Sequence, residues 1–444
     1  MRASTARPAL PARAVLRARP VLSARPASSA RPALPLLAAL VAVPLLGLAA
    51  PAAVAAPPPP ADTGQCTYPS KPYAGRPWAL QRVLLDELWR QSTGKGVRVA
   101  VIDSGVDTKN AQLKPAVDVS SGRNVLPPGI KDDQGTPIPR GNESGTTDTV
   151  GHGTKVAGLI AARPARGTGF VGLAPGATII PIQQNDAEGH GNAITLATAI
   201  EHAIAKRAQI INISQDTANA TEPTPILRRA VDKALSQGIV IVASAGNDGL
   251  GGNVKPTYPA SYPGVLAVAA SDRNNERAAF SQSGDFVGVA APGVDMVSTV
   301  PGGGHCADNG TSFSAPYVSG VAALLRAKHP DWTRQQIVTQ IQQTAERAVP
   351  GHDRLVGWGV VDPVRALTED EHPPPATPAP DTGPPDVRAP EPARLTLGET
   401  PQERDARLAT YVVVGGGVLV AAIGGAAVAT RDARRRRGRP GEPR

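Results

Sequence analysis

Apolar residues along the chain fall into two rhythms. Five short runs, at 97–102, 178–182, 210–213, 239–243 and 265–269, are nearly continuous and rich in Val and Ile. That is the pattern of strands buried on both faces. Between them, the stretches 153–163, 191–207, 225–237 and 314–328 space their apolar residues by three or four and read as helices. Alternating strands and helices predict an α/β fold in three layers, a mostly parallel central sheet with helices on both faces. Residues 118–149 break the rhythm with Gly, Pro, Asn and Asp, which predicts a long surface loop.

Two apolar stretches obey neither rhythm. The first, 33–50, is uncharged and follows a leader with seven arginines and four copies of Ala-Arg-Pro. Pro35, Pro44 and Pro51 interrupt it, and Ala53-Val54-Ala55 supplies the small residues of a cleavage site. Residues 1–55 are therefore expected to be a secretory signal peptide cut before Ala56. The second, 411–430, has no charge and at ~1.5 Å per residue is long enough for a bilayer's hydrocarbon of about 30 Å. Arg431, Arg434, Arg435, Arg436, Arg437 and Arg439 follow at once. Positive residues stay inside, so the tail 431–444 is expected in the cytoplasm and everything from 56 to 409 outside, with the cell membrane as the address. Proline-rich text marks an extension at 56–78 and a linker at 368–410, leaving 79–367 as one globular domain.

Charge sharpens this division. The net charge of +9 would invite a nucleic-acid reading, but the ends carry all of it: +7 lies in 1–55 and +5 in 431–444, leaving the middle at −3. No basic domain remains, and nucleic acid is excluded as a partner. The two cysteines, Cys66 and Cys306, lie in the exported part, where an even count favours one intramolecular disulfide. Two free thiols or an intermolecular bond are the alternatives.

Three polar positions sit where an α/β fold does chemistry. Asp103 closes the first strand. His152 lies between Gly151 and Gly153 at the head of a helix, with glycines on both sides giving the imidazole room. Ser312, in Asn309-Gly310-Thr311-Ser312, precedes the last long apolar helix. An acid, a histidine and a serine in that order match one of the known chain orders of the serine-hydrolase triad.

The segments VAVIDSGVD, GHGTKVAGLIAA and NGTSFSAPYVSGVAALL, supported by GLAPGA (172–177), INIS (211–214) and ASAGNDG (243–249), resemble the signatures of subtilisin-like serine proteases, the subtilases. The resemblance covers about 80–367 and implies a peptide hydrolase. It makes Ser312 the nucleophile, His152 the general base and acid, and Asp103 the group that orients the imidazole. Asn247 corresponds to the side-chain donor of the oxyanion hole. A substrate strand is expected against Ser214 and Gln215 on one side and Ala245 and Gly246 on the other. Asp216 departs from the glycine common at that position; it would favour a basic residue in the first specificity pocket or block large ones.

Digestive subtilases carry a folded prodomain, for which the roughly twenty residues between Ala56 and Trp78 are too few. A short cysteine-bearing extension, the GTSFSAP motif and a C-terminal anchor with a basic tail are similar to the mycosins, membrane-anchored subtilases associated with type VII secretion. The resemblance implies processing of secreted proteins and contact with secretion components in the membrane. A mainly structural role in that membrane complex, or a general surface protease, are the alternatives. No motif asks for a cofactor. Asp132, Asp133 and Asp148 lack metal-ligand spacing and read as a solvated acidic loop, so no metal is expected.

Overall fold

Within each apolar run, alternate residues point to opposite faces, and the computed structural model shows where each set goes. It describes residues 66–129, 131, 135–136, 140–186, 191–214, 224–250, 255–375, 377–379 and 399–437. The expected signal peptide lies outside the described residues. Strands β1 (Arg98–Asp103), β2 (Arg123–Asn124), β3 (Thr178–Gln183), β4 (Ile210–Ile213), β5 (Val240–Ser244), β6 (Leu266–Ser271) and β7 (Val287–Pro292) form one parallel sheet. Its order is β2-β3-β1-β4-β5-β6-β7. Val99, Val101, Ile179, Ile210, Val240 and Val242 enter one core layer. Their neighbours Ala100, Ile102, Ile180, Ile182, Ile211, Ile213 and Ile241 enter the other. The period of two that sorts them is a property of the extended backbone.

Helices cover both layers. The first face holds α1 (Trp78–Gln81), α2 (Leu85–Gln91), α3 (His152–Ala161), α6 (Thr311–Lys328), α7 (Arg334–Gln343) and α8 (Pro363–Thr368). The second holds α4 (Ala193–Ala205) and α5 (Pro225–Ser236). The three-layer fold expected from the sequence is the fold observed. Helix α6 is buried without a break from Thr311 to Arg326, so it is a core helix with no polar face.

Several elements differ from the expectation. Helix α3 starts at His152 and α6 at Thr311, each earlier than their apolar spacing implies, because Gly151 and Gly310 adopt positive φ (84° and 151°) and turn the chain directly into the helix. The stretch 118–149 is not all loop: β2 extends the sheet edge beside β3, and Leu126, Asn124, Thr146 and Asp148 are buried. A separate hairpin, β8 (Met296–Thr299) with β9 (His305–Asp308), leads the chain up to Ser312. The C-terminal apolar run belongs to α9 (Pro401–Arg437), which is long and apolar enough to cross a membrane and is a candidate transmembrane span.

Candidate active site

The carboxyl ends of three adjacent strands converge on one cleft. Asp103 ends β1, Ser214 follows β4, and Ala245, Gly246 and Asn247 follow β5. The chain runs from β1 to β3 on one side and returns to β4 on the other, so β1 lies at the switch point where open α/β sheets form their crevice. Helices α3 and α6, packed on the same face, bring His152 and Ser312 to it.

Asp103 is fully buried, and its Oδ1 lies 2.7 Å from His152 Nδ1. The same oxygen accepts the Ser104 N–H at 2.8 Å. The side chain of His152 remains partly exposed at 28%. Burial pulls the imidazole's pKa down, but the charge and hydrogen bond of Asp103 outweigh it and hold it above the ordinary 6.5. Phe313 packs its ring on the imidazole at 5.3 Å between centroids. The Ser312 hydroxyl donates to the Ser214 carbonyl at 2.9 Å; among the described residues no hydrogen bond joins it to His152. The structure thus brings Asp103 and His152 into direct contact and holds Ser312 on the neighbouring strand end.

The glycines flanking His152 serve backbone packing, not the imidazole. A Cβ on Gly153 would meet the Gly105 carbonyl oxygen at 2.1 Å and Asp103 Cβ at 3.0 Å, so glycine is what lets α3 approach β1. A Cβ on Gly151 would strike the ring of Tyr68.

Asn247 is exposed, and its Oδ1 accepts from Thr311 N at 2.9 Å and Thr311 Oγ1 at 3.0 Å. Both bonds fix the amide and leave Nδ2 as the group with hydrogens to offer. Ala245 and Gly246 are buried beside Asn247, and their backbone groups are engaged. Ala245 N bonds Val268 and its carbonyl accepts from Thr257, while Gly246 N bonds Thr311 Oγ1 and its carbonyl accepts from Gln282 N. Gln215 and Asp216 lie outside the described residues.

Sequence reasoning missed the scaffold behind the histidine. Asp148 is fully buried and not solvated. Its Oδ2 takes Thr154 N (2.8 Å) and Thr154 Oγ1 (2.5 Å), and its Oδ1 takes Gly151 N (2.7 Å), Val150 N (3.1 Å) and Ser104 Oγ (3.0 Å). Burial pushes its carboxyl pKa up against these hydrogen bonds. Asp132 and Asp133 lie outside the described residues. An aspartate four residues before a helix-opening histidine was the available signal. Cys66 and Cys306 are joined in a disulfide with Cα atoms 6.1 Å apart, the intramolecular pairing expected.

Comparison with known proteins identifies the family. Residues 94–359 match the subtilase family, and the chain belongs to it. Subtilisin E of Bacillus subtilis is 38% identical over 288 residues, 64% of this chain and 70% of that protein. Subtilisin Savinase of Lederbergia lenta is 36% identical over 287 residues, 64% of this chain and 96% of that one. The protein is a subtilisin-like serine endopeptidase. Within the family it is close to the mycosins. The structure of the MycP3 protease from the type VII (ESX-3) secretion system superposes with a TM-score of 0.58 at 34% identity, covering 68% of this chain and 90% of that one. MycP1 from Mycobacterium smegmatis does so with 0.57 at 31% identity, covering 73% and 91%.

Proposed function

We propose that the protein cleaves peptide bonds with Ser312 as nucleophile, His152 as general base and acid, and Asp103 as the group that orients and stabilises the imidazolium. The observation that carries this reading is the 2.7 Å contact between buried Asp103 and His152 Nδ1, which leaves Nε2 as the imidazole nitrogen available to the nucleophile. A bound substrate releases the Ser312 hydroxyl from Ser214, and His152 takes its proton as the oxygen attacks the scissile carbonyl. The oxyanion receives the Asn247 Nδ2–H and the backbone N–H of Ser312, near the positive end of α6. His152 then returns the proton to the leaving amine, and water repeats the cycle on the acyl-enzyme.

The same proposal places the domain outside the cell membrane, anchored by α9 with its arginine-rich end inside, acting on secreted proteins. Support comes from the apolar length of α9, the arginines that follow 430, and the likeness to proteases of type VII secretion systems. Ser312→Ala tests the catalytic part: hydrolysis of peptides by the purified full chain should fall by about 10⁴-fold or more. The same mutant in cells tests the role. Loss of processed forms among secreted proteins supports the proteolytic reading, while normal secretion requiring only the inactive chain favours the structural one.

A further inference from the structure

The N-terminal extension is not a loose leader to the domain. From Cys66 it runs beside the segment that leads to Ser312. Ser70 N donates to the Gly303 carbonyl at 3.0 Å, His305 N to the Lys71 carbonyl at 3.1 Å, and Tyr73 N to His305 Nδ1 at 3.0 Å. A Cβ on Gly304 would sit 1.9 Å from the Ser70 carbonyl oxygen, so the strap lies flush against this loop. The disulfide to Cys306 fastens its outer end.

The residue delivered by this strap is Tyr68. Its hydroxyl donates to the Val150 carbonyl at 3.0 Å. Its ring fills the space a side chain on Gly151 would need. Val150 and Gly151 are the last two residues before His152, and Gly151 holds a left-handed φ of 84° there. The ring also faces Lys155, whose ammonium lies 5.8 Å from the ring centroid and pairs with Asp308 at 2.8 Å. Lys155 is one turn along α3 from His152, and Asp308 lies four residues before Ser312. A single side chain therefore touches the turn that aims the imidazole and the cross-tie from α3 to the end of β9, the strand that leads to Ser312.

We propose that Tyr68 is a positioning residue for His152, and that the Cys66–Cys306 disulfide serves catalysis by holding Tyr68 on the 150–151 turn. The proposal rests on the reading of His152 as general base. With the turn released, the imidazole loses its fixed distance to Asp103, and a base misplaced by a fraction of an ångström deprotonates the serine poorly. Besides Asp103 on β1, the charged groups acting on the imidazole are Asp148 before α3 and Lys155, and the Tyr68 phenol in turn bears on Lys155. Asp103 is the one whose hydrogen bond the turn controls, so a loosened turn moves the acid limb of activity to lower pH.

The test uses the full-length chain in detergent and a fluorophosphonate probe, which reads the reactivity of Ser312 without knowledge of the substrate. Against wild type, Tyr68→Leu should label about 10-fold more slowly at neutral pH and Tyr68→Phe about 3-fold more slowly. Both should show the acid limb displaced downward. The double variant Cys66→Ser/Cys306→Ser should resemble Tyr68→Leu. For a fluorogenic peptide cleaved by wild type, kcat should carry the loss with KM within about twofold. Rates within twofold of wild type and an unmoved acid limb overturn the proposal. So does a loss confined to the fraction of folded enzyme, with the labelled remainder reacting at the wild-type rate, since that is a stability effect alone. Ser312→Ala run in parallel separates the two readings. If it still labels, the triad assignment fails; if it is inert while the Tyr68 variants behave as wild type, only the role of Tyr68 fails.

Discussion

Helix α3 meets the cleft with its first turn closed. The buried Asp148 carboxylate takes the amides of Gly151 and Thr154 and the Thr154 hydroxyl, so the positive end of this helix is already satisfied. Helix α6 meets the same cleft with its first turn partly open. Its N-cap is Gly310, which has no side chain to cap with; Thr311 N is taken by Asn247 Oδ1 and Phe313 N by the Gly310 carbonyl. Among the described residues, the Ser312 amide has no protein acceptor. The two ends divide the work. Under the proposed mechanism, the buried Asp148 carboxylate ahead of α3 fixes the base in place, while the Ser312 amide of α6 receives a charge that exists only during the reaction.

This contrast can be broken at either end. The largest effect is expected from Asp103→Asn, which keeps the shape behind His152 but reverses the hydrogen-bond roles: kcat should drop about 10⁴-fold in a peptide-hydrolysis assay with KM little changed. On the α6 side, Asn247→Ala should lower kcat by about 10²–10³-fold while leaving the unfolding midpoint near wild type, because Asn247 is exposed. A large loss of stability there would mean that α6 is capped for folding and not for binding. Asp148→Ala should do the reverse. It strands buried amides and should cost about 2–4 kcal/mol in urea unfolding, with Asp148→Asn recovering part. A variant with unchanged stability would refute the closed-cap account of α3.

The smallest effect concerns the approach to α6. His305 is buried, its Nε2–H donates to Gln112 Oε1 at 2.7 Å, and its Nδ1 accepts from Tyr73 N, so a second proton has no place. Burial lowers its pKa to about 4. With a folded pKa below the unfolded 6.5, the unfolded chain binds the extra proton first. The stabilisation is therefore complete above 6.5 and disappears as pH falls toward 4. Urea midpoints measured across that window should decline with a slope of up to about 1.4 kcal/mol per pH unit, and His305→Gln should flatten it.

The strands β1, β3, β4 and β5 were legible because each is a buried run rich in Val and Ile, and β6 because Val265–Ala269 is an unbroken apolar run. Strand β7, Val-Gly-Val-Ala-Ala-Pro, was not, since a glycine and a terminal proline hide a strand defined by its pairing with β6 and by bridges to 357–360. Helix α7 was obscured by its five glutamines, although Thr333 and Gln336 form a capping box at its start. Among the site residues, Asp103, His152, Ser312 and Asn247 stand in motifs and could be read directly. Asp148 and Tyr68 could not. Nothing in their local sequence says that one is buried or that the other crosses 82 positions to reach Val150. Their roles come from tertiary contact, which motif spacing does not encode.

Helix α9 changes the geometry of anchoring. It begins at Pro401, ten residues before the uncharged run at 411, and Thr400 and Glu403 exchange hydrogen bonds at its start. If 411–430 spans the bilayer as proposed, that first part extends the helix about 15 Å beyond the hydrocarbon, at ~1.5 Å per residue. Under the proposed anchoring, the last part of the tether is therefore a rigid rod and not a flexible chain, which sets a minimum distance between the linker's end and the lipid.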